Sequence, residues 1–297
     1  MYDVFMFSGT LVALVTPFLD DINKSVDYES LEKLIEFQLA ANIDGLVICA
    51  STGEGTLLTN EERIDIINFV TKNINERIPI LVGCSSCSTN EAIRNIKIAQ
   101  DLGASGVLVT SPYYVKPNQE GIFKHFENVS NNTNIPIVVY NIPSRVSVNI
   151  ELDTLRKIFQ LKNIVALKDA TKNFETLSIL HNEMLNISIL SGDDGTLPAC
   201  LAHGACGAIS AAANVYPKEI SNIINSWNND EIQRFKGLVN IISYISKVIS
   251  ITTNPIPIKY ILSKMGLIKN VVREPLYSID GEQLDDLLNK INILNKC

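Results

Sequence analysis

No uncharged apolar run in this 297-residue chain approaches the roughly 18 residues needed to cross a bilayer. Even the apolar stretch from Leu238 to Ile251 carries Lys247, and its length suits a buried helix. Met1 to Phe7 lacks the basic start and long apolar stretch of a secretory leader, so a cytoplasmic location is expected. No block of five or six like charges occurs, and the formal net charge is −7. Nucleic acid and an anionic membrane surface are therefore poor partners, and a small molecule is the expected one. Histidine is scarce: His125, His181 and His203 belong to no H-E-x-x-H and imply no metal. Of the six cysteines, Cys84 and Cys87 form one C-x-x-C, but Cys49, Cys200, Cys206 and Cys297 supply no second pair at zinc spacing. Reduced packing thiols are expected, with neither a disulfide framework nor a metal centre.

What the chain does have is alternation. Short β-branched or apolar runs stand at Leu11 to Thr16, Gly45 to Ala50, Ile80 to Cys84, Gly106 to Thr110, Ile137 to Asn141, Ile164 to Lys168, Ile187 to Ser191 and Gly207 to Ser210. Between them lie amphipathic segments such as Tyr28 to Ala41, Asn60 to Ile74, Asn90 to Leu102, Gln119 to Ser130 and Phe174 to Leu185, with Asp27, Thr59 and Thr89 as candidate N-caps. Strand-then-helix units joined by short connections predict an α/β fold, a closed (β/α)8 TIM barrel over residues 1–229. A doubly wound sheet is the alternative, but the first strand runs into ALVTPF where that fold would carry G-x-G-x-x-G. From about Asp230 the alternation stops, which predicts a C-terminal helical appendage over 230–297. Its Asn254-Pro255-Ile256-Pro257 should break the chain before a helix at Ile258 to Met265, and leucine and isoleucine spacing predicts a closing helix from Gly281 to Leu294.

One amine interrupts the sixth apolar run, IVALKDAT. Strand alternation puts Ala166 and Lys168 on one face and Val165, Leu167 and Asp169 on the other. An ammonium is costly in such surroundings, so the pKa of Lys168 should fall from about 10.4 toward a neutral, nucleophilic amine able to form a Schiff base with a carbonyl substrate. In a barrel, active sites lie where the strands' C-terminal ends meet the following loops. There the chain places Ser51-Thr52-Gly53-Glu54-Gly55, whose Gly-containing turn can offer amides to an anion. It also places Tyr113 and Tyr114 after strand four, Tyr140 and Arg145 at strand five, and Gly192 after strand seven. A phenol beside an imine can move protons, and a guanidinium fork suits a carboxylate.

These motifs, GTLVALVTPF, STGEGTLL, SPYYVKPNQEG, YNIPSR, ALKDATKN, SGDD, GAISAAANV and NPIPIK in that order from about Gly9, resemble the dihydrodipicolinate synthase family. That family belongs to the pyruvate-dependent class I aldolases, together with N-acetylneuraminate lyase. The resemblance implies that Lys168 forms an imine with pyruvate and that Tyr140 is the central acid and base. It implies that Ser51 and Tyr114 complete a hydroxyl relay, Tyr114 reaching into a neighbouring subunit. Thr52 with Ser51 would hold pyruvate's carboxylate, Arg145 the carboxylate of aspartate semialdehyde, and Gly192 with the Ile209 carbonyl would line the pocket. No metal or organic cofactor is implied, and the family's usual assembly is a homotetramer built as a dimer of dimers.

Two departures from the family pattern stand out. Ser51 replaces the usual first threonine of Gly-Thr-Thr-Gly-Glu, and a serine-threonine pair is also what the sialic acid lyase carries. Arg145, SGDD and KDATKN favour the synthase over that lyase or a 2-keto-3-deoxy sugar acid aldolase; a barrel that only binds is the remote alternative. The second departure lies in the set that binds lysine in feedback-inhibited relatives. Glu91 and Tyr113 match it, but Asn60, Arg63 and Cys87 stand where two histidines and an asparagine are common. A cationic Arg63 disfavours a cationic ligand, so weak or absent lysine inhibition is expected.

Overall fold

The computed structural model of the chain describes residues 6–279 together with Gly281 and Asp285. Eight parallel strands close on themselves in sequence order: β1 (Gly9–Ala13), β2 (Gly45–Ile48), β3 (Ile80–Gly83), β4 (Gly106–Thr110), β5 (Ile137–Asn141), β6 (Ile164–Asp169), β7 (Ser188–Ser191) and β8 (Gly207–Ser210). The (β/α)8 barrel expected from alternation is thus observed, each strand lying within a few residues of its expected place. Every strand gives a side chain to the interior, Leu11, Val47, Leu81, Leu108, Val138, Ala166, Leu190 and Ile209, with Ala13 of β1 and Tyr140 of β5 in the same cluster. Phe7, just before β1, joins them against Gly106 at the strands' N-terminal end. Burial of each larger side chain contributes about 2 kcal/mol, so the strand ends above this layer rest on a packed floor.

Residues one step along each strand, such as Val12, Leu46, Val82, Val107, Val139 and Leu167, point outward and pack with the helices' apolar stripes. Helices α1 (Tyr28–Leu39), α2 (Asn60–Ile74), α3 (Thr89–Asp101) and α4 (Gln119–Asn132) follow the first four strands. A four-residue turn, α5 (Pro143–Val146), precedes α6 (Leu152–Ile158). Then come α7 (Phe174–Glu183), α8 (Leu197–Ala202) and α9 (Pro217–Asn228). Asp27 caps α1 by accepting from the Ser30 amide, and Thr59 with Glu62 forms a full capping box on α2. Thr89 does not cap α3. It is the helix's first residue, preceded by Ser88, and its hydroxyl is bonded instead to Nδ1 of buried His125 at 3.0 Å.

Alternation also fails at one place. A bulge between β5 and β6 pairs Ile137 with Ile164 but Val138 with Ala166, so Val165 has no opposite number and packs beside the interior cluster. Ala166 and Lys168 still share the inner face.

After the barrel, α10 (Ile232–Ile249) packs on α9 and against the loops that follow β7 and β8. Helix α11 spans Ile256–Lys264, beginning two residues earlier than expected. Pro257 sits in its first turn, where no intrahelical donor is needed, so the proline starts the helix rather than delaying it. The expected closing helix from Gly281 to Leu294 falls outside the described residues apart from Gly281 and Asp285.

Candidate active site

Lys168 lies at the catalytic end of β6, only 5% exposed. Its register partner on β5 is Tyr140, 6% exposed, and the amine sits 4.1 Å from the centre of that phenol ring. Burial lowers the Lys168 pKa from 10.5 to about 7; the nearby Asp194 carboxylate raises it in part, and the Arg145 guanidinium lowers it further. Burial therefore favours the neutral amine far more than at an exposed lysine. Burial also pushes the Tyr140 phenol well above its usual 10, opposed by Arg145 and helped by the Asp194, Asp193 and Asp169 carboxylates. Tyr140 is thus held as a proton donor against a lysine poised to lose its proton.

The turn after β2 lines one cavity with Tyr140. Thr16 Oγ1 donates to the Gly53 carbonyl at 2.7 Å, and the Gly55 amide donates to the Ala50 carbonyl at 3.0 Å. Gly55 is obligatory, because a Cβ there would lie 1.9 Å from the Cys49 carbonyl oxygen. Among the described residues, the main-chain amides of Ser51 and Thr52 donate to no partner, which leaves two N–H groups for an anion. Thr52 is buried and its Oγ1 accepts from Asn254 Nδ2 at 2.9 Å. The Ser51 side chain is exposed and its hydroxyl has no partner among the described residues.

Arg145 stands exposed at the rim on α5, its Nη2 donating to the Asn254 carbonyl at 3.1 Å. Gly192 follows β7. Its amide donates to the Asp169 carbonyl at 2.6 Å, and a Cβ there would meet that oxygen at 2.9 Å and Lys168 Cγ at 3.1 Å. Only glycine lets this loop lie so close to the lysine. The Ile209 side chain belongs to the interior layer, one residue before Ser210. Tyr114 is the outlier: at φ 70° and 90% exposed, it is not among the residues that line the cavity with Tyr140. One cavity of about 590 Å3 joins Ser51, Tyr140, Arg145 and Asn254 to Asn60, Arg63, Glu91 and Tyr113. Arg63 is tied there to the main chain, donating to the Gly83 carbonyl at 2.7 Å and the Gly55 carbonyl at 3.3 Å. Cys87 is exposed and Cys84 buried, both as free thiols.

Sequence reading passed over two contributors. Asp194 is half-buried, accepts from the Ser210 hydroxyl and the Ala211 and Ala212 amides, and supplies the carboxylate field at Lys168. Its signal was the second aspartate of SGDD, whose direction depends on the turn Asp194–Thr196 folding back toward β8. Asn254 joins Thr52 to Arg145, and its signal was the first residue of NPIPIK.

Comparison with known proteins agrees with this geometry. The family model described as "Dihydrodipicolinate synthetase family" matches residues 6–294. A 4-hydroxy-tetrahydrodipicolinate synthase of Thermodesulfovibrio yellowstonii is 38% identical over 293 residues, covering 97% of this chain and 100% of its own. A protein of the same name from Clostridium novyi is 38% identical, covering 98% of both chains. The crystal structure of dihydrodipicolinate synthase from Aquifex aeolicus superposes with a TM-score of 0.93 at 37% identity, covering 97% of this chain and 98% of its own. A buried lysine beside a phenol at the mouth of a closed barrel, in a chain matched end to end, leads to one conclusion: the chain belongs to the dihydrodipicolinate synthetase family.

Proposed function

We propose that the chain is a lyase of the class I aldolase type, a 4-hydroxy-tetrahydrodipicolinate synthase that condenses pyruvate with L-aspartate 4-semialdehyde in diaminopimelate and lysine biosynthesis. The observation that carries the reading is Lys168, buried, brought to a pKa of about 7 and set against a protonated Tyr140. The neutral amine attacks the ketone carbon of pyruvate. Tyr140 gives a proton to the oxygen that leaves as water, and an imine joins Lys168 to the substrate. The free amides of Ser51 and Thr52 receive the pyruvate carboxylate. Loss of a methyl proton gives the enamine, whose carbon attacks the aldehyde. The aldehyde substrate's own amine then closes onto the imine carbon and releases Lys168.

Arg145 receives the carboxylate of aspartate semialdehyde, a role supported by its place at the cavity rim with one guanidinium nitrogen used on Asn254. Gly192, whose loop lies against Lys168, and the Ile209 carbonyl border the imine carbon in this reading. Ser51 carries protons between Tyr140 and a neighbouring subunit's Tyr114; the exposed Tyr114, with Val115 58% exposed beside it, supports a subunit contact, and the assembly proposed is a homotetramer. The step needs no metal or organic cofactor. The test is borohydride reduction with pyruvate: a stable adduct of Lys168 is expected, and its absence defeats any Schiff-base reading. Turnover with aspartate semialdehyde should exceed that with N-acetylmannosamine or sugar aldehydes, and Arg145→Ala should damage the former far more than it damages trapping.

A further inference from the structure

Two charged residues from motifs beside the site take no part in that chemistry. Glu54 follows Thr52 by two positions, and Lys259 ends NPIPIK. Their side chains form an ion pair with neither exposed to solvent. Lys259 Nζ also donates to the Val271 carbonyl at 2.9 Å and lies 4.0 Å from the centre of the Phe18 ring. Arg273 lies on the same ring at 4.3 Å, and its main-chain amide donates to Glu54 Oε2 at 2.9 Å. Both Glu54 oxygens are thereby held, and the residue keeps the left-handed φ of 52° that ends the turn.

A pair so completely desolvated is weak support for stability, since apolar residues of similar volume often serve as well. What it fixes is geometry. Five residues before Lys259, the Asn254 side chain donates to Thr52 and its carbonyl accepts from Arg145. Two segments some two hundred positions apart are closed into a ring, with Thr52 and Glu54 on one arc and Asn254 and Lys259 on the other. We propose that the Glu54–Lys259 pair is a positioning clamp that sets the carboxylate-receiving turn of β2 against Asn254, so that the pyruvate subsite and Arg145 rest on one rigid support. Neither residue touches substrate; both act through Thr52 and Asn254. The proposal rests on the function given above.

The experiment compares the parent with Glu54→Gln, Lys259→Met and the double variant, reading thermal midpoint, borohydride trapping and the KM for each substrate. Each single change strands one buried partner, so the midpoint should fall. The double change removes both charges and should recover the midpoint, because no unpaired charge remains. For a clamp, the recovered double variant still shows both KM values raised by about tenfold, while kcat stays within roughly threefold of the parent. Parental KM values in the recovered double variant overturn the clamp and leave a structural pair. Where the double variant falls short of the parental midpoint, Glu54→Asp carries the test, since it keeps the charge and shortens the arm by one methylene. Raised KM values in a stable Glu54→Asp support the clamp, and unchanged ones overturn it. Failure of the parent to trap pyruvate defeats the functional reading instead, so the two failures are distinct.

Discussion

Replacing Lys168 with methionine should abolish pyruvate trapping and make the protein more stable. The buried amine has a pKa of about 7 against an ordinary 10.5, a separation of about 3.5. Below pH 7 both folded and unfolded chains hold the proton, and the folded state carries the whole cost of enclosing it. Between pH 7 and 10.5 the unfolded chain holds a proton that the folded chain has released, so the parent's stability rises with pH in that window. At about 1.4 kcal/mol for each tenfold step, the cost at pH 7 is on the order of 4 kcal/mol. Methionine fills similar space without a charge. It forfeits the contact of the ammonium with the Tyr140 ring, at most about 1 to 2 kcal/mol. A net gain on the order of 2 to 3 kcal/mol at pH 6 to 7 is expected for Lys168→Met, closing toward zero as pH approaches 10.5.

Urea unfolding of both proteins at pH 6, 8 and 9.5, followed by circular dichroism at matched protein concentration, measures that gap and its slope. A variant no more stable than the parent at pH 6, or a gap that widens with pH, would refute the claim that burial depresses this lysine. The same pKa governs the chemistry. The rate of imine formation in the free enzyme should rise with pH and level off above about 7. Asp194 holds the Lys168 pKa up, so Asp194→Asn should move that rise toward lower pH.

Tyr140→Phe keeps the ring that packs on Lys168 but removes the proton donor, so turnover should fall by about 100-fold or more while the thermal midpoint holds; a loss under tenfold contradicts the assigned role. Ser51→Thr restores the family's usual residue and should leave turnover within roughly threefold, whereas Ser51→Ala removes the hydroxyl and should lower it at least tenfold. Equal losses in the two variants would show that the hydroxyl is not what position 51 supplies. Lysine should inhibit weakly or not at all, because the Arg63 guanidinium presents a fixed positive charge to the same cavity; half-inhibition by submillimolar lysine would contradict this.

The barrel was readable because its strands are short apolar runs punctuated by glycine and by helix caps, and those signals are local. Asp27 and Thr59 cap as their spacing predicts. Thr89 misled because capping depends on what else competes for the hydroxyl, and buried His125, thirty-six positions away, takes it. The expected face of Val165 failed for a related reason: a bulge depends on how β5 and β6 register, which alternation in one strand does not encode. Lys168 was legible by contrast, because a single amine within an apolar run states its own desolvation.

The residues that sequence reading passed over share a property: each acts on the site through a contact closed only by the fold. Asp194 reaches Lys168 because a short turn after β7 folds onto the start of the loop after β8. Asn254 reaches Thr52 across 202 positions, and Glu54 meets Lys259 on the same helix that Asn254 precedes. None has a local signature, since an aspartate in a turn or an asparagine before a proline has an ordinary explanation nearby. Their effect is also indirect: Asp194 raises the Lys168 pKa, and the contacts of Asn254 and Glu54 tie the turn after β2 to the segment that opens α11. Chemistry at the strand ends is therefore announced by residue type, whereas the support that tunes it is announced only by distance. It follows that variants at Asp194 and Glu54 should shift pH profiles and KM values, and those at Lys168 and Tyr140 should remove the reaction itself.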